Sequence, residues 1–390
     1  MRFPEFSGEW ETIKLGDVLK LKGGYAFKSE RFLDTGVPIV RISNLPQNSN
    51  SVDLSNCVYY ESGNYQNYTV KNGDLLIAMS GATTGKTAIY RYNYSAYLNQ
   101  RVGLFAPKEK VHNQFLYPIV ESKTFISQLS SKLVAGAQPN ISSQDIETIA
   151  VGLPSKEEQI KIAHLFELMN QRIETQIKII EELTTLRSAL HHQIMRNGLA
   201  DGSWEQKRLS EVLLERTELN SKEYAVHSVS VSKGIVNQIE YLGRSFAAKD
   251  TSKYHVAYPG DIVYTKSPTG EFPYGIIKQS HISIKAAISP LYGVYVPLSQ
   301  EIGYIIHNHF LSAKNALNYL HPLIQKGAKN TINITNQRFL QNSIPLPSNQ
   351  NAAVLYSKTI KAVSDKIALE VSVLDKLQLQ KSHFLQTMFI

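Results

Sequence analysis

The amino-acid sequence predicts an α+β protein built twice over. A β-rich domain is followed by a long helix, then a second β-rich domain by a second long helix. The two helices are expected to pair as an antiparallel coiled coil, giving a pseudo-two-fold internal repeat. Three observations predict this: landmarks recur in the same order along both halves of the 390 residues, short apolar runs set off by turn residues fill the first part of each half, and an unbroken amphipathic stretch closes each half.

The repeat comes first because missing it misreads the whole fold. "WETIKLGDVL" at 10–19 returns as "WEQKRLSEVL" at 204–213, and "NGDLLIAMSG" at 72–81 as "PGDIVYTKSP" at 259–268. "VGLFAP" at 102–107 is echoed by "YGVYVP" at 292–297, "AGAQPNIS" at 135–142 by "KGAKNTIN" at 326–333, and "LPS" at 153–155 by the same letters at 346–348. Within each half, runs such as "GVPIVRI", "DLLIAM", "RVGLFAP", "DIVYTK" and "LYGVYVP" read as strands, because β-branched and aromatic residues lie between Gly, Asn and Pro.

The closing helix carries the clearest local pattern. Pro154 ends the preceding strand, Ser155 caps, and Glu158 three residues on is placed for a capping box. Apolar residues then recur at spacings of mostly three and four: Ile162, Phe166, Met169, Ile173, Ile177, Ile180, Leu183, Leu190 and Ile194, until Asn197-Gly198, the expected stop. The second copy repeats the stripe as Ile367, Val371, Leu374, Leu377, Phe384 and Met388. Roughly 40 residues at about 1.5 Å each make a rod near 60 Å long. One small domain cannot cover such a stripe, so the expected mate is the other rod. The core of the pair is then Ile173, Ile177, Ile180, Leu183, Leu190 and Ile194 against Ile367, Val371, Leu374, Leu377, Phe384 and Met388. The division is 1–152 for the first β-rich domain, 153–198 for the first helix, 199–345 for the second domain and 346–390 for the second helix. Antiparallel rods would set the two domains at opposite ends.

Composition narrows the function. Hydrophobic residues make up 43% and charged residues 19%, an ordinary globular balance. The start lacks an apolar signal core and no run is long enough to span a membrane. A lone Cys57 excludes an internal disulfide framework and a cysteine-rich zinc site. Cytoplasm is the plain expectation. The net charge is +8 and its excess is uneven: residues 1–195 hold 20 Lys/Arg against 19 Asp/Glu, residues 196–390 hold 21 against 14. Ile302 to Ser364 has six basic residues and no acid. Clustered cations suit a polyanionic partner, nucleic acid first, through counterion release.

The motifs that suggest catalysis do not hold. "MSGATTGKTAIY" at 79–90 imitates a phosphate-binding loop, yet only three residues separate Gly81 from Gly85-Lys86-Thr87, and the residues after Thr87 are strand-like. A hairpin turn is expected there. "DTG" at 34–36 has no second acid in the repeat to share a proton. "HNH" at 307–309 is three consecutive letters of an expected helix. His191 and His192 are neighbours, so on a helix they diverge by about 100° and do not readily share a metal. No glycine-rich cofactor loop with a following acid occurs, and no Asn-Pro-Pro-aromatic tetrapeptide of the amino-methyltransferase kind. The chain offers no metal site and no active site of its own.

These features resemble the specificity subunit of type I restriction–modification enzymes. The likeness is carried by "IKLGDVLKLKGGYAFKSERF" at 13–32, "GVPIVRISNL" at 36–45, "NGDLLIAMSGATTGKTAIY" at 72–90, "YLNQRVGLFAP" at 97–107 and "GAQPNISSQDIETIAVGLPSKEEQIKIAHLF" at 136–166. The second copy is looser, with "SPLYGVYVP" in place of "NQRVGLFAP". The resemblance implies two target-recognition domains, each binding one half of a split, asymmetric DNA target, and paired helices that set the spacer and dock the modification subunits. It implies two methylating partners using S-adenosylmethionine and two restriction partners using ATP and Mg, and no cofactor or catalysis in this chain. Two alternatives of the same kind are the specificity subunit of a fused methylase–nuclease and that of a methylation-only system. A bivalent protein-binding scaffold is the alternative of another class. Candidate DNA contacts are the basic and amide side chains in or beside expected loops. In the first domain they are Lys28, Arg31, Arg41, Lys86, Asn99 and Arg101. In the second they are Lys233, Lys249, Lys253, Lys266, Lys278, Lys326, Lys329 and Asn330.

Overall fold

The structure, a computed structural model, describes residues 2–46, 50–134, 140–244, 247–326 and 332–389. It divides into two compact units, Met1–Lys178 with Ser372–Ile390 and Ile179–Val371.

The first unit is organised on a four-stranded antiparallel sheet in the order Leu19–Gly23, Val102–Pro107, Leu75–Ala78, Thr87–Ile89. Leu75–Ala78 is buried along its whole length. The two-residue pleat divides its side chains: Leu75 and Ile77 enter one apolar cluster with Phe115, Ile119 and Phe166, while Leu76 and Ala78 enter another with Val40, Leu98 and Val102. A strand covered on both faces has no polar side to show, so "DLLIAM" is continuously apolar rather than alternating. A second, mixed sheet runs Val58–Tyr60, Val37–Val40, Ala96–Leu98, Thr69–Val70, with its middle two strands parallel. Glu11–Lys14 pairs with Ala150–Leu153 and joins the two ends of the domain ahead of the central helix.

The second unit repeats the plan. Its four-stranded antiparallel sheet runs Leu213–Glu215, Gly293–Pro297, Ile262–Tyr264, Ile277–Gln279, and again the inner strand is shared between two clusters, Ile262 and Tyr264 in one and Val263 in the other. Trp204–Arg208 pairs with Ser343–Pro347 as Glu11–Lys14 does with Ala150–Leu153. The halves part at the outer sheet, where the second unit has separate two-stranded pairs, His227–Ser230 with Gly234–Asn237 and His255–Ala257 with Ala286–Ile288.

The central helix spans Lys156–Asp201 and the C-terminal helix Gln350–Met388. In the first unit Ile162 and Phe166 share a cluster with Phe384, Leu385, Met388 and Phe389. In the second, Leu190, Ile194 and Met195 share one with Ala353, Tyr356 and Ile360. The start of each helix therefore meets the end of the other, and the pair is antiparallel. Between these ends two helices alone enclose little: Ile173, Ile177, Ile180, Leu183, Ile367 and Leu374 are half-buried, Leu377 is 8% exposed, and Val371, at 40%, is not enclosed.

Two helix-end readings need correction. The helix does not stop at Asn197-Gly198 but continues to Asp201, and the stop falls at Gly202, whose φ is +78°. Gly198 serves a close approach instead, since a Cβ there would lie 2.1 Å from Cδ1 of the Trp204 indole. At the other end Ser155 accepts from the Glu158 N–H at 3.3 Å. The Glu158 carboxylate does not complete the box; it is fully buried against the Arg2 guanidinium at 2.6 and 2.8 Å.

Candidate nucleic-acid interface

Strand Leu75–Ala78 delivers Met79, Ser80 and Gly81 to one end of the first unit's sheet. Gly81 and Gly85 both have φ of +83°, a backbone region that glycine enters freely. Between them the N–H and hydroxyl of Thr84 both donate to the Gly81 carbonyl, at 3.1 and 2.6 Å. The chain then returns as Thr87–Ile89, with Thr87 opposite Ile77. The Gly-Lys-Thr segment is a hairpin, and no helix comes after it to present an N-terminus to a phosphate. Lys86 is half-buried, not at the tip. Burial lowers its proton affinity first, with opposing fields from Glu121 and Lys381, themselves an ion pair at 2.7 Å. It faces the helical side of the domain.

The turn at 99–101 is the best-built feature of this surface. Asn99 N–H donates to the Val40 carbonyl (3.0 Å), Gln100 N–H to the Tyr25 carbonyl (2.9 Å), and the Arg101 carbonyl accepts from Met79 N–H (2.9 Å). Three other segments thus pin the backbone while the Gln100 and Arg101 side chains remain exposed. Beside it lies a cavity of about 630 Å³ lined by Met79, Ser80, Gly81, Gln100, Arg101 and Asn140 among others. Asn140 is held there by a bridge to Ser80. Arg41 follows Val40 directly; its Nη2 donates to the Asn56 carbonyl at 3.4 Å, and its buried Nε has no partner. Tyr25, 39% exposed, packs edge-on or tilted against Phe27, Tyr65 and Tyr68 at 5.0–5.3 Å. An aromatic side chain that is both exposed and immobilised suits a binding surface. Lys28 is exposed, and Arg31 pairs with Glu61 and lies 5.3 Å from the Tyr60 ring centroid. The structure therefore gathers Arg41, Asn99 and Arg101 around one turn and cavity and leaves Lys86 elsewhere. Sequence reasoning passed over Tyr25, Gln100 and Asn140 as candidates. Their only local signal was a polar or aromatic residue beside a turn.

The second domain differs at the matching place. Ser289-Pro290-Leu291 makes its turn, closed by the Tyr292 N–H on the Ser289 carbonyl at 3.0 Å, and Leu291 is 70% exposed. Lys233, at a hairpin tip, lies 5.3 Å from the Tyr241 ring centroid, and Lys249 and Lys253 are exposed farther along the chain. Lys266 has φ of +47° and is half-buried, and burial lowers its proton affinity with Glu215 acting in opposition. Lys278 needs correction. It lies in strand Ile277–Gln279, is 4% exposed, and its pKa falls to about 8 through burial and then repulsion from Arg187. A group so enclosed cannot meet a duplex phosphate. Lys326 is placed in strand Gln325–Lys326, while Lys329 and Asn330 lie outside the described residues. Among the described residues no group of three or more His, Cys, Asp or Glu could hold a metal, and no helix is long and apolar enough to cross a membrane.

Residues 7–185 match the family described as the type I restriction modification DNA specificity domain. Over 197 residues the chain is 28% identical to the type I restriction enzyme MjaVIII specificity subunit of Methanocaldococcus jannaschii, covering 49% of this chain and 46% of that one. Over 167 residues it is 30% identical to the EcoAI specificity subunit of Escherichia coli, covering 41% and 28%. These matches span about half or less of the relatives' lengths. The solved structure of the type I restriction–modification S subunit from M. genitalium aligns over 100% of this chain and 99% of its own, with a TM-score of 0.61 at 14% identity, and so shares the fold. The chain belongs to the family of type I restriction–modification specificity subunits.

Proposed function

We propose that this chain reads DNA sequence for a type I restriction–modification complex. Each β-rich domain binds one half of a split target, and the paired helices set the spacer and dock two modification subunits. In this reading residues 1–152 and 199–345 are the reading domains, and 153–198 and 346–390 the rods. Catalysis lies with partners that bring S-adenosylmethionine, ATP and Mg. The observation that carries it is one sheet order used twice with unlike tips, Asn99-Gln100-Arg101 in one domain and Ser289-Pro290-Leu291 in the other. Identical scaffolds with different tips suit two unlike half-sites, and hence a target that is not a palindrome. An amide–amide–guanidinium turn can donate to and accept from base edges in the major groove, whereas an apolar tip suits a thymine methyl or the sugar edge.

Base-resolution mapping of methylated DNA in cells with and without this gene tests the proposal. A modified motif in two unlike parts with an unread spacer is expected. Its absence, with the modification subunits expressed, would refute it. Purified complex should also bind DNA in a strongly salt-dependent way; a bivalent protein scaffold would not.

A further inference from the structure

The second unit encloses two cations without an acid. Lys278 is 4% exposed on the edge strand Ile277–Gln279, and among the described residues no hydrogen bond or ion pair reaches its ammonium group. Arg187, half-buried on the central helix, has none either. His281 and His307 complete the group. The proton affinity of His307 is lowered by burial first and then by His281, Lys278 and Arg187. Four basic side chains therefore face one another with no carboxylate between them. A buried charge left uncompensated costs several kcal/mol, so the arrangement calls for an anion from outside the chain.

A cavity of about 830 Å³ adjoins the group, between the segment Gln279–Ile282, the helix Gln300–His309 and one face of the C-terminal helix. His281, in the field of Lys278, and Tyr304, in that of Arg187, both line it. Its own acids are engaged: Asp365 holds Lys361 at 2.7 Å, and Glu301 accepts from Gln350 at 3.3 Å. Lys358 on the wall has no pair among the described residues. Ile282, Val354 and Ala368 make part of the wall apolar.

We infer that this cavity receives a polypeptide segment of a modification subunit, apolar along the wall and carrying an Asp or Glu that sits against Lys278 and Arg187. The inference rests on the specificity-subunit reading. A duplex phosphate, fixed on a cylinder far wider than the cavity, cannot reach an ammonium group this enclosed. A free inorganic anion would leave the apolar wall unpacked. A side-chain carboxylate satisfies both the charge and the shape.

The test compares the full chain with Lys278→Met and Arg187→Gln, each mixed with modification subunits. Each substitution should weaken assembly at least tenfold and flatten its salt dependence, while the sequence preference of complexes assembled at high concentration stays the same. The free Lys278→Met chain should also melt higher than wild type, because the uncompensated charge is gone. Variants that assemble as tightly as wild type overturn the inference. So does DNA affinity lost with assembly intact, which would make this a phosphate site, or a lower melting temperature for free Lys278→Met. A wild-type chain that binds no modification subunit overturns the inference and the functional reading together.

Discussion

Gly23 and Gly24 are adjacent, yet replacing them with alanine should have opposite outcomes. A Cβ on Gly24 would lie 2.2 Å from the Asn99 carbonyl oxygen, 2.3 Å from that of Leu98 and 2.4 Å from the Asn99 carbonyl carbon. All three are backbone atoms, so no rotamer relieves the clash. The segment must open by about 1 Å, since real Cβ atoms essentially never come closer than 3.0 Å. That separation strains the two bonds joining Tyr25 to Leu98 and Gln100, now 2.8 and 2.9 Å. At about 0.5–1.5 kcal/mol each, their loss destabilises the domain by roughly 1–3 kcal/mol. It also moves the 99–101 turn, and one displaced base contact is worth about 1–3 kcal/mol. Gly24→Ala should therefore weaken binding at the first half-site by roughly 5- to 150-fold and leave the second half-site untouched. Gly23 has nothing within 4 Å of its Cβ position, so Gly23→Ala should fall within about 0.5 kcal/mol of wild type. Urea unfolding and binding to targets altered one half at a time measure both effects. The reasoning fails if the two variants behave alike, or if Gly24→Ala harms the second half-site.

Arg101→Ala, which removes an exposed side chain from a pinned turn, should relax preference at the first half-site by about 1–3 kcal/mol without altering stability; competition binding against single-base variants checks this. Replacing Ile173, Ile177 and Ile180 together by Asp puts carboxylates in a half-buried seam at about 1–3 kcal/mol each, and should cripple both half-sites at once in the same assay. Asn170 is 1% exposed and neither amide atom has a partner, so Asn170→Leu should stabilise the chain by about 1–3 kcal/mol in urea. Burial foremost, with neighbouring histidines adding, lowers His191 to about pH 3 and His309 to about pH 4. These values lie below the ordinary 6.5, so the unfolded chain takes up protons first: stability is full above that value and declines as pH falls toward 4, by up to about 1.4 kcal/mol per pH unit for each group. A melting temperature that stays level across that window would contradict it.

Much of this architecture can be read from local pattern. The duplicated landmarks anticipate two units with one strand order, the three-and-four spacing anticipates the long helices, and the β-branched "TAIY" marks the Gly-Lys-Thr segment as a hairpin. What local pattern cannot carry is contact at a distance. Lys278 looks like a surface lysine after "YGII", but its enclosure comes from His307 and Arg187, on helices remote in the chain. Lys86 follows a turn and still faces Glu121. Asn197-Gly198 has the letters of a helix stop, while the glycine is there to admit Trp204 from the next element. Tyr25, Gln100 and Asn140 come together only because backbone bonds join segments near residues 25, 79 and 100 and a bridge joins Ser80 to Asn140.

The central claim is that two independent readers share one chain. Exchanging residues 20–140 for the corresponding segment of another specificity subunit, followed by methylation mapping of host DNA, tests it most directly. One half of the modified motif should change while the other half and the spacer stay as they were. A motif altered in both halves would contradict the account.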